Sequence, residues 1–182
     1  MNNEELVYRD YVIDGDLEAV RRIATSSGFF SRPEIDVVIE LVEDRLRKGT
    51  ASDYRFLFIS GHEGPLAFTC YGPIACTAAS YDLYWIAVDQ PFRDCGIGGR
   101  LLERTEQMIR GEGGRTIYAE TSSRPQYQPT RRFYEAHGYC CEARFPDFYD
   151  RGDHKVVYAK TLDEHPSLST RLGGLPRILS TP

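Results

Sequence analysis

Apolar positions along the chain recur with two periods, and the switches between them mark the elements. Val7–Ile13 predicts a first strand, and Asp14 or Asp16 is placed to cap a helix running through Ile23 to about Ser26. Ser31 and Glu34 form a capping box with Pro33 early in the next helix. Ile35, Val38, Ile39, Val42 and Leu46 then recur at helical spacing until Gly49. Arg55–Ser60 and Pro65–Tyr71 read as strands joined by a hairpin turn at Gly61–Gly64. Gly72–Ser80 reads as a loop and Tyr81–Val88 as a strand. Leu101, Leu102, Thr105, Met108 and Ile109 lie on a helix that Gly111, Gly113 and Gly114 end. Thr116–Glu120 is a strand, Thr121–Gln128 a polar loop, and Pro129–His137 a short helix closed by Gly138. Tyr139–Phe145 and Val156–Leu162 are two last strands around the loop Pro146–Lys155. The order is β-α-α-β-β-β-α-β-α-β-β, without internal repeats. Residues 1–162 form one domain, and Asp163–Pro182, with three prolines and little periodicity, reads as a poorly packed tail.

Composition narrows the function classes. A chain of 182 residues, 41% hydrophobic, suits one domain with its own core. Acids outnumber bases 27 to 22, which disfavours a general nucleic-acid binder. No apolar run approaches the ~20 residues of a membrane span, and MNNEELVYRD lacks the features of a secretory signal. Five cysteines, Cys70, Cys76, Cys95, Cys140 and Cys141, are odd in number and show no zinc-ligand spacing. They read as reduced thiols of a cytoplasmic protein, with no metal expected.

The chemistry concentrates in Leu83–Leu102, LYWIAVDQPFRDCGIGGRLL. An apolar strand ends at an acid-Gln-Pro turn, and a glycine loop opens at once into a helix. That arrangement aims free backbone N–H groups at a phosphate. Gly96, Gly98 and Gly99 allow close approach, and Arg93 can add charge-assisted hydrogen bonds. No Gly-Lys-Ser/Thr is present, so this is not a nucleoside-triphosphate loop.

Arg93-x-x-Gly96-x-Gly98, after a strand carrying Ile86-Ala87-Val88, resembles the GNAT superfamily of N-acetyltransferases. The element order from Val7 to Leu162 is similar as well. The resemblance implies an α+β fold with a mixed, twisted central sheet of about seven strands flanked by helices. It also implies acetyl-CoA as cosubstrate, held by Ile86, Ala87, Val88, Arg93, Asp94, Cys95, Gly96, Ile97, Gly98, Gly99 and Arg100.

Phe133-Tyr134-Glu135-Ala136-His137-Gly138-Tyr139 resembles the family's Phe-Tyr-Glu-x-x-Gly-Phe helix. The tyrosine matching Tyr134 is the general acid that protonates the departing thiolate there. Many members carry an asparagine seven residues earlier. Here that residue is Tyr127, so the contact with the cofactor arm differs and Tyr127 is free to line the acceptor pocket. Read without the family, Phe133 and Tyr134 are also ordinary core aromatics of an amphipathic helix.

An amine acceptor is an ammonium at neutral pH and must lose a proton, which a carboxylate can take. Two candidates match the family's glutamate positions: Asp82 on the signature strand and Glu120 at the end of the next. Strand alternation would set Asp82, Tyr84 and Ile86 on one face and Leu83, Trp85 and Ala87 on the other. Phe148-Tyr149-x-x-Gly152-Asp153 resembles the hairpin that roofs the acceptor site in N-terminal acetyltransferases. Asp147 and Tyr149 could hold an ammonium by charge and cation–π contacts, with Tyr71 and Tyr127 as further lining. His62, His137 and His154 read as surface residues and Trp85 as core.

The chain therefore reads as an acetyl-CoA-dependent N-acetyltransferase of a small-molecule amine or amino acid, working by direct transfer. Protein N-terminal or lysine acetylation is the alternative, and a non-catalytic acyl-CoA sensor a third. No nucleic-acid or membrane partner is expected, and a homodimer is a possible assembly.

Overall fold

In the computed structural model, residues 6–162 are described; the expectations for residues 1–5 and for the tail 163–182 lie outside them. Seven strands form one sheet in the order β1-β2-β3-β4-β5-β7-β6. They are β1 (Val7–Arg9), β2 (Arg55–Gly61), β3 (Gly64–Pro73), β4 (Ser80–Val88), β5 (Thr116–Ser122), β6 (Cys140–Asp150) and β7 (Asp153–Thr161). All neighbours are antiparallel except β4 and β5, which run parallel. The four α-helices of the described residues are α1 (Asp16–Ser27), α2 (Arg32–Lys48), α3 (Ile97–Gly111) and α4 (Gln128–Ala136). No helix among the described residues is long and apolar enough to cross a membrane.

The two faces of the sheet bury separate cores. On one, Val20, Ile23, Val38 and Val42 of α1 and α2 pack on Phe56, Phe58, Phe68 and Cys70. On the other, Leu101, Leu102 and Ile109 of α3 and Tyr134 of α4 pack on Leu57, Ile59, Tyr71, Leu83 and Ile117. The crossover from β4 through α3 to β5 is what makes that one strand pair parallel.

Several boundaries differ from expectation. The first strand stops at Arg9 rather than Ile13, because Arg9 turns into a bidentate pair with Asp16 at 2.6 and 2.8 Å. Asp16 caps nothing in its own helix; its carboxylate instead accepts from Arg9 and from the Ile13 N–H. The Ser31–Glu34 box forms, with Glu34 Oε2 2.7 Å from the Ser31 N–H. Most of the region expected as the loop Pro146–Lys155 is strand: β6 and β7 run on to Asp150 and from Asp153, joined at Arg151-Gly152. Pro146 is tolerated because β6 is an edge strand, where a missing N–H leaves no ladder bond unmade.

Candidate active site

β4 and β5 pair over four positions only, from Ser80↔Thr116 to Leu83↔Ala119. Beyond them β4 continues to Val88 and β5 to Ser122 without pairing to one another, so the strands part. A β-bulge stands at the parting: Tyr71 of β3 faces Leu83, Cys70 faces Trp85, and Tyr84 is the extra residue. A bulge inserts one residue and resets the alternation beyond it. Leu83, Ile86 and Val88 accordingly belong to the α3–α4 face, while Trp85 and Ala87 belong to the α1–α2 face. This corrects the simple alternation, which had separated Leu83 from Ile86. Asp82 and Tyr84 stay on the α1–α2 face, Tyr84 edge-on to Tyr54 with ring centres 5.6 Å apart.

The glycine loop stands above the gap. Gly96 has φ 76° and takes the position before α3, a conformation that a side chain would strain. No acidic residue occupies the first turn of α3, so nothing there competes for an anion. Packing does not demand glycine at 98, where a Cβ would make only ordinary contacts with Phe133 and Val88. Packing does demand it at 99, where a Cβ would lie 2.8 Å from His137 Nε2. Bare backbone at Gly98, at the start of a helix and beside parted strands, fits a pyrophosphate with an extended arm behind it. Arg93 is engaged within the protein: it donates to the Ser27 carbonyl and lies 4.8 Å over the Phe29 ring. Nearby, Asp89 accepts from Arg22 and from Ser26. The loop and the α1–α2 turn are thus tied together, a link that residue spacing did not suggest.

Tyr134 lies in the core cluster that also holds Leu83, Ala119 and, at its margin, Ile86. Its ring packs against Phe133, Tyr139 and Tyr158. Its hydroxyl has no hydrogen-bond partner among the described residues. Burial pushes its proton affinity well above that of an ordinary tyrosine, so it keeps its proton at neutral pH. Core packing and a protonated donor therefore coexist in one residue.

On the other face, Asp82, Tyr118 and Glu120 line a shallow cavity of about 390 Å³ with Ile74, Thr77, Ser80 and Val157. Burial, and then the neighbouring Glu120 charge, raise the proton affinity of Asp82, while Lys155 opposes them. Glu120 is paired with Lys155 at 2.6 Å. Sequence reasoning missed Lys155 because it took the residue for the end of a loop. Extending β7 by one residue would have revealed it, since alternation sets Lys155 on the face of Val157.

The expected acceptor lining does not all converge. Tyr71 is fully buried on the α3 face, its hydroxyl directed to Met108 Sδ, so it lines no pocket. Tyr127 donates to the Phe29 carbonyl at 2.8 Å and joins the α1–α2 turn to the segment before α4. Asp147, at φ 52°, accepts from the Gly152 N–H at 2.8 Å and serves the hairpin's own geometry. Tyr149 is half exposed and stands edge-on to Phe148. Its proton affinity is pushed up to about 12, first by burial and then by Glu120, Asp153 and Glu34. Those neighbours locate its hydroxyl where the hairpin, β5 and the start of α2 converge.

Comparison with known proteins agrees with this geometry. A model of the acetyltransferase (GNAT) domain matches residues 52–140. A crystal structure described as an acetyltransferase of the GNAT family, from Desulfovibrio desulfuricans, is 41% identical with a TM-score of 0.85, over 86% of this chain and 99% of that one. At 18% identity, an aminoglycoside 6′-N-acetyltransferase complexed with coenzyme A has a TM-score of 0.71, over 88% of this chain and 99% of its own. A ribosomal-protein alanine N-acetyltransferase from Escherichia coli has 16% identity and a TM-score of 0.70, over 88% and 96%. The last two show likeness of fold alone. No curated protein matches the chain. With a sheet parted at β4–β5, the glycine loop above it and a relative of this identity over nearly its whole length, the chain belongs to the GNAT family of acetyltransferases.

Proposed function

We propose that this enzyme transfers an acetyl group from acetyl-CoA directly to the nitrogen of a small-molecule amine or amino acid. Acetyl-CoA supplies an activated acetyl thioester; the remaining work falls to the chain. The backbone of the glycine loop around Gly96–Gly98 holds the pyrophosphate, and the unpaired stretch of β4 about Ile86–Val88 receives the arm. Tyr134 keeps a proton at its hydroxyl and gives it to the leaving sulfur. A carboxylate of the acceptor cavity, Asp82 or Glu120, draws the proton from the incoming ammonium. Nitrogen gains the acetyl carbon and the carbon–sulfur bond breaks; the phenol proton makes the thiol, a second proton shed by nitrogen as the amide forms restores the phenol, and the proton held by the carboxylate passes to solvent.

The observation that carries this reading is the parting of β4 and β5 beyond Leu83 and Ala119, with the buried, protonated Tyr134 on one face and paired carboxylates on the other. A pure acyl-CoA sensor needs neither the donor nor the carboxylates. Support for a small acceptor comes from the walls: Tyr127 is bonded across to Phe29, and the β6–β7 hairpin brings Tyr149 towards β5. A neighbour that acetylates a ribosomal protein keeps a peptide acceptor as the rival. A panel of amines, amino acids and peptides, scored by thiol release from acetyl-CoA, separates the three. Small amines leading supports this reading, peptide N-termini leading replaces it, and no turnover leaves a sensor.

A further inference from the structure

Three charges stand on the acceptor face, and they are unequally engaged. Glu120 of β5 and Lys155 of β7 are diagonal neighbours, since Glu120 faces Val157 and Ser122 faces Lys155. The Lys155 Nζ lies 2.6 Å from Glu120 Oε1. The lysine is only 17% exposed although its partner is 47% exposed. Its ammonium also lies over the Phe148 ring at 4.6 Å and near the Phe145 ring at 5.8 Å. A half-exposed ion pair alone contributes little. Aromatic faces attract the same cation and fix where it sits. Asp82, across the β4–β5 pairing on the same face, joins no ion pair among the described residues.

We propose that Lys155 is a positioning residue of the acceptor site. It anchors and neutralises Glu120, so that Glu120 orients the acceptor's ammonium through its second oxygen and Asp82 is left to take the proton. This inference rests on the acetyl-transfer reading and deepens it. One N–H proton passes from the ammonium to the Asp82 carboxylate, directly or through water, and the nitrogen keeps the electron pair it uses for attack. Asp82 then returns the proton to solvent. Lys155 and Glu120 keep their charges throughout. Two carboxylates on one wall would otherwise raise each other and titrate as a pair. A cation touching only one of them breaks that symmetry.

The groups that face Asp82 are few. Tyr84 is on its own strand, Tyr118 and Glu120 come from β5, and Lys155 comes from β7. Tyr54 and Asp53 act on Tyr84. The connection from β3 to β4 brings the uncharged Ile74 and Thr77 to this cavity, and β4 adds Ser80.

The test is a carbon-13 carboxyl titration of Asp82 in the whole protein, with the signal assigned through Asp82→Asn. Lys155→Met should move the Asp82 midpoint to higher pH, and Glu120→Gln should move it lower. Lys155→Arg should restore the wild-type midpoint. With the best amine of the panel, Lys155→Met should shift the acidic limb of kcat/KM upward in step. It should also lower kcat about tenfold or more, with an unchanged KM for acetyl-CoA. A wild-type midpoint and limb in Lys155→Met overturn the proposal. Should that variant misfold, Glu120→Gln decides: a limb displaced to lower pH supports it, and a limb abolished makes Glu120 the base and overturns it. No turnover by the wild type with any amine overturns the acetyl-transfer reading instead, and the role with it. The titration then still reports whether the three charges are coupled.

Discussion

Gly98 of α3 and Phe133 of α4 meet at contact distance: a Cβ at position 98 would lie 3.5 Å from the Phe133 ring and 3.6 Å from Val88. The protein therefore has room for alanine there, whereas the pyrophosphate proposed to sit at the helix start would not. Gly98→Ala should melt at the wild-type temperature or above, since alanine favours a helix by up to ~1 kcal/mol. Affinity for CoA should fall about tenfold or more, roughly 1.4 kcal/mol. Calorimetric titration beside a thermal melt measures both. Undiminished CoA binding by the folded variant would remove the glycine loop from the cosubstrate site.

Tyr134→Phe should separate the two roles of that residue. The phenylalanine ring keeps every packing contact, and the lost hydroxyl had no partner among the described residues, so the melting temperature should hold. CoA affinity should hold too, while kcat falls by about 10²–10⁴-fold. Because burial raises the proton affinity of Tyr134, the wild-type kcat should show no descending limb from this group below pH ~10. Wild-type kcat in Tyr134→Phe would return the residue to the core.

Helices and the order of strands were legible because their signals are local: the Ser31–Glu34 box, the i, i+3, i+4 spacing after Ile35, the glycines after Ile109. The glycine loop and Tyr134 were legible as motifs. What escaped was set by tertiary context. The bulge at Tyr84 leaves no mark in residue type, yet it decides that Ile86 shares a face with Leu83. Tyr71 looked like pocket lining, but the register of β3 turns it towards α3. The hairpin from β6 to β7 carries three aspartates, a proline and a glycine, so its composition argued for a loop while edge pairing made it strand. Hiding those strand residues also hid Lys155, and with it the difference between the two carboxylates.

Asp82→Asn should trade activity for stability. Burial raises the folded-state pKa of Asp82 above its unfolded value. A raised carboxyl favours the folded state fully below the unfolded pKa of ~3.9, and that advantage is lost as pH rises through the folded value. At neutral pH the wild type thus carries a charge that Lys155 offsets only in part and that asparagine lacks. The variant should melt higher than wild type at pH 7, and the gain should vanish near pH 3. An equal shift at both pH values would show that the effect comes from packing rather than charge.

Glu106 and Lys160 join α3 to β7, 2.6 Å apart, with Glu106 only 8% exposed. Among the described residues, its second oxygen and the hydroxyl of Tyr139 make no hydrogen bond of good geometry. Removing the cation leaves a buried carboxylate unpaired, which costs up to about 3 kcal/mol. Lys160→Met should therefore destabilise strongly, and adding Glu106→Gln should recover most of the loss. Denaturant melts of the two variants check this. Additive losses in the double variant would mean that the pair is not coupled.

In the proposed acetyl transfer, Tyr149 is the hairpin residue expected to meet the acceptor. Its ring is half exposed, and its hydroxyl lies within electrostatic reach of Glu120, Glu34 and Tyr127, each from a different element. With its proton affinity pushed up to about 12, it stays neutral across any assay range and acts through its aromatic face and its hydrogen bond. An aromatic face near an ammonium contributes ~0.5–1 kcal/mol at an exposed site. Tyr149→Ala should therefore raise KM for the amine about two- to fivefold. KM for acetyl-CoA should not move, and kcat should change little. Tyr149→Phe should retain most of the affinity, since it keeps the face and loses only the hydroxyl. Steady-state kinetics with each substrate varied in turn measure both constants. If KM for acetyl-CoA rises with that for the amine, the hairpin serves the fold of the whole site rather than the acceptor.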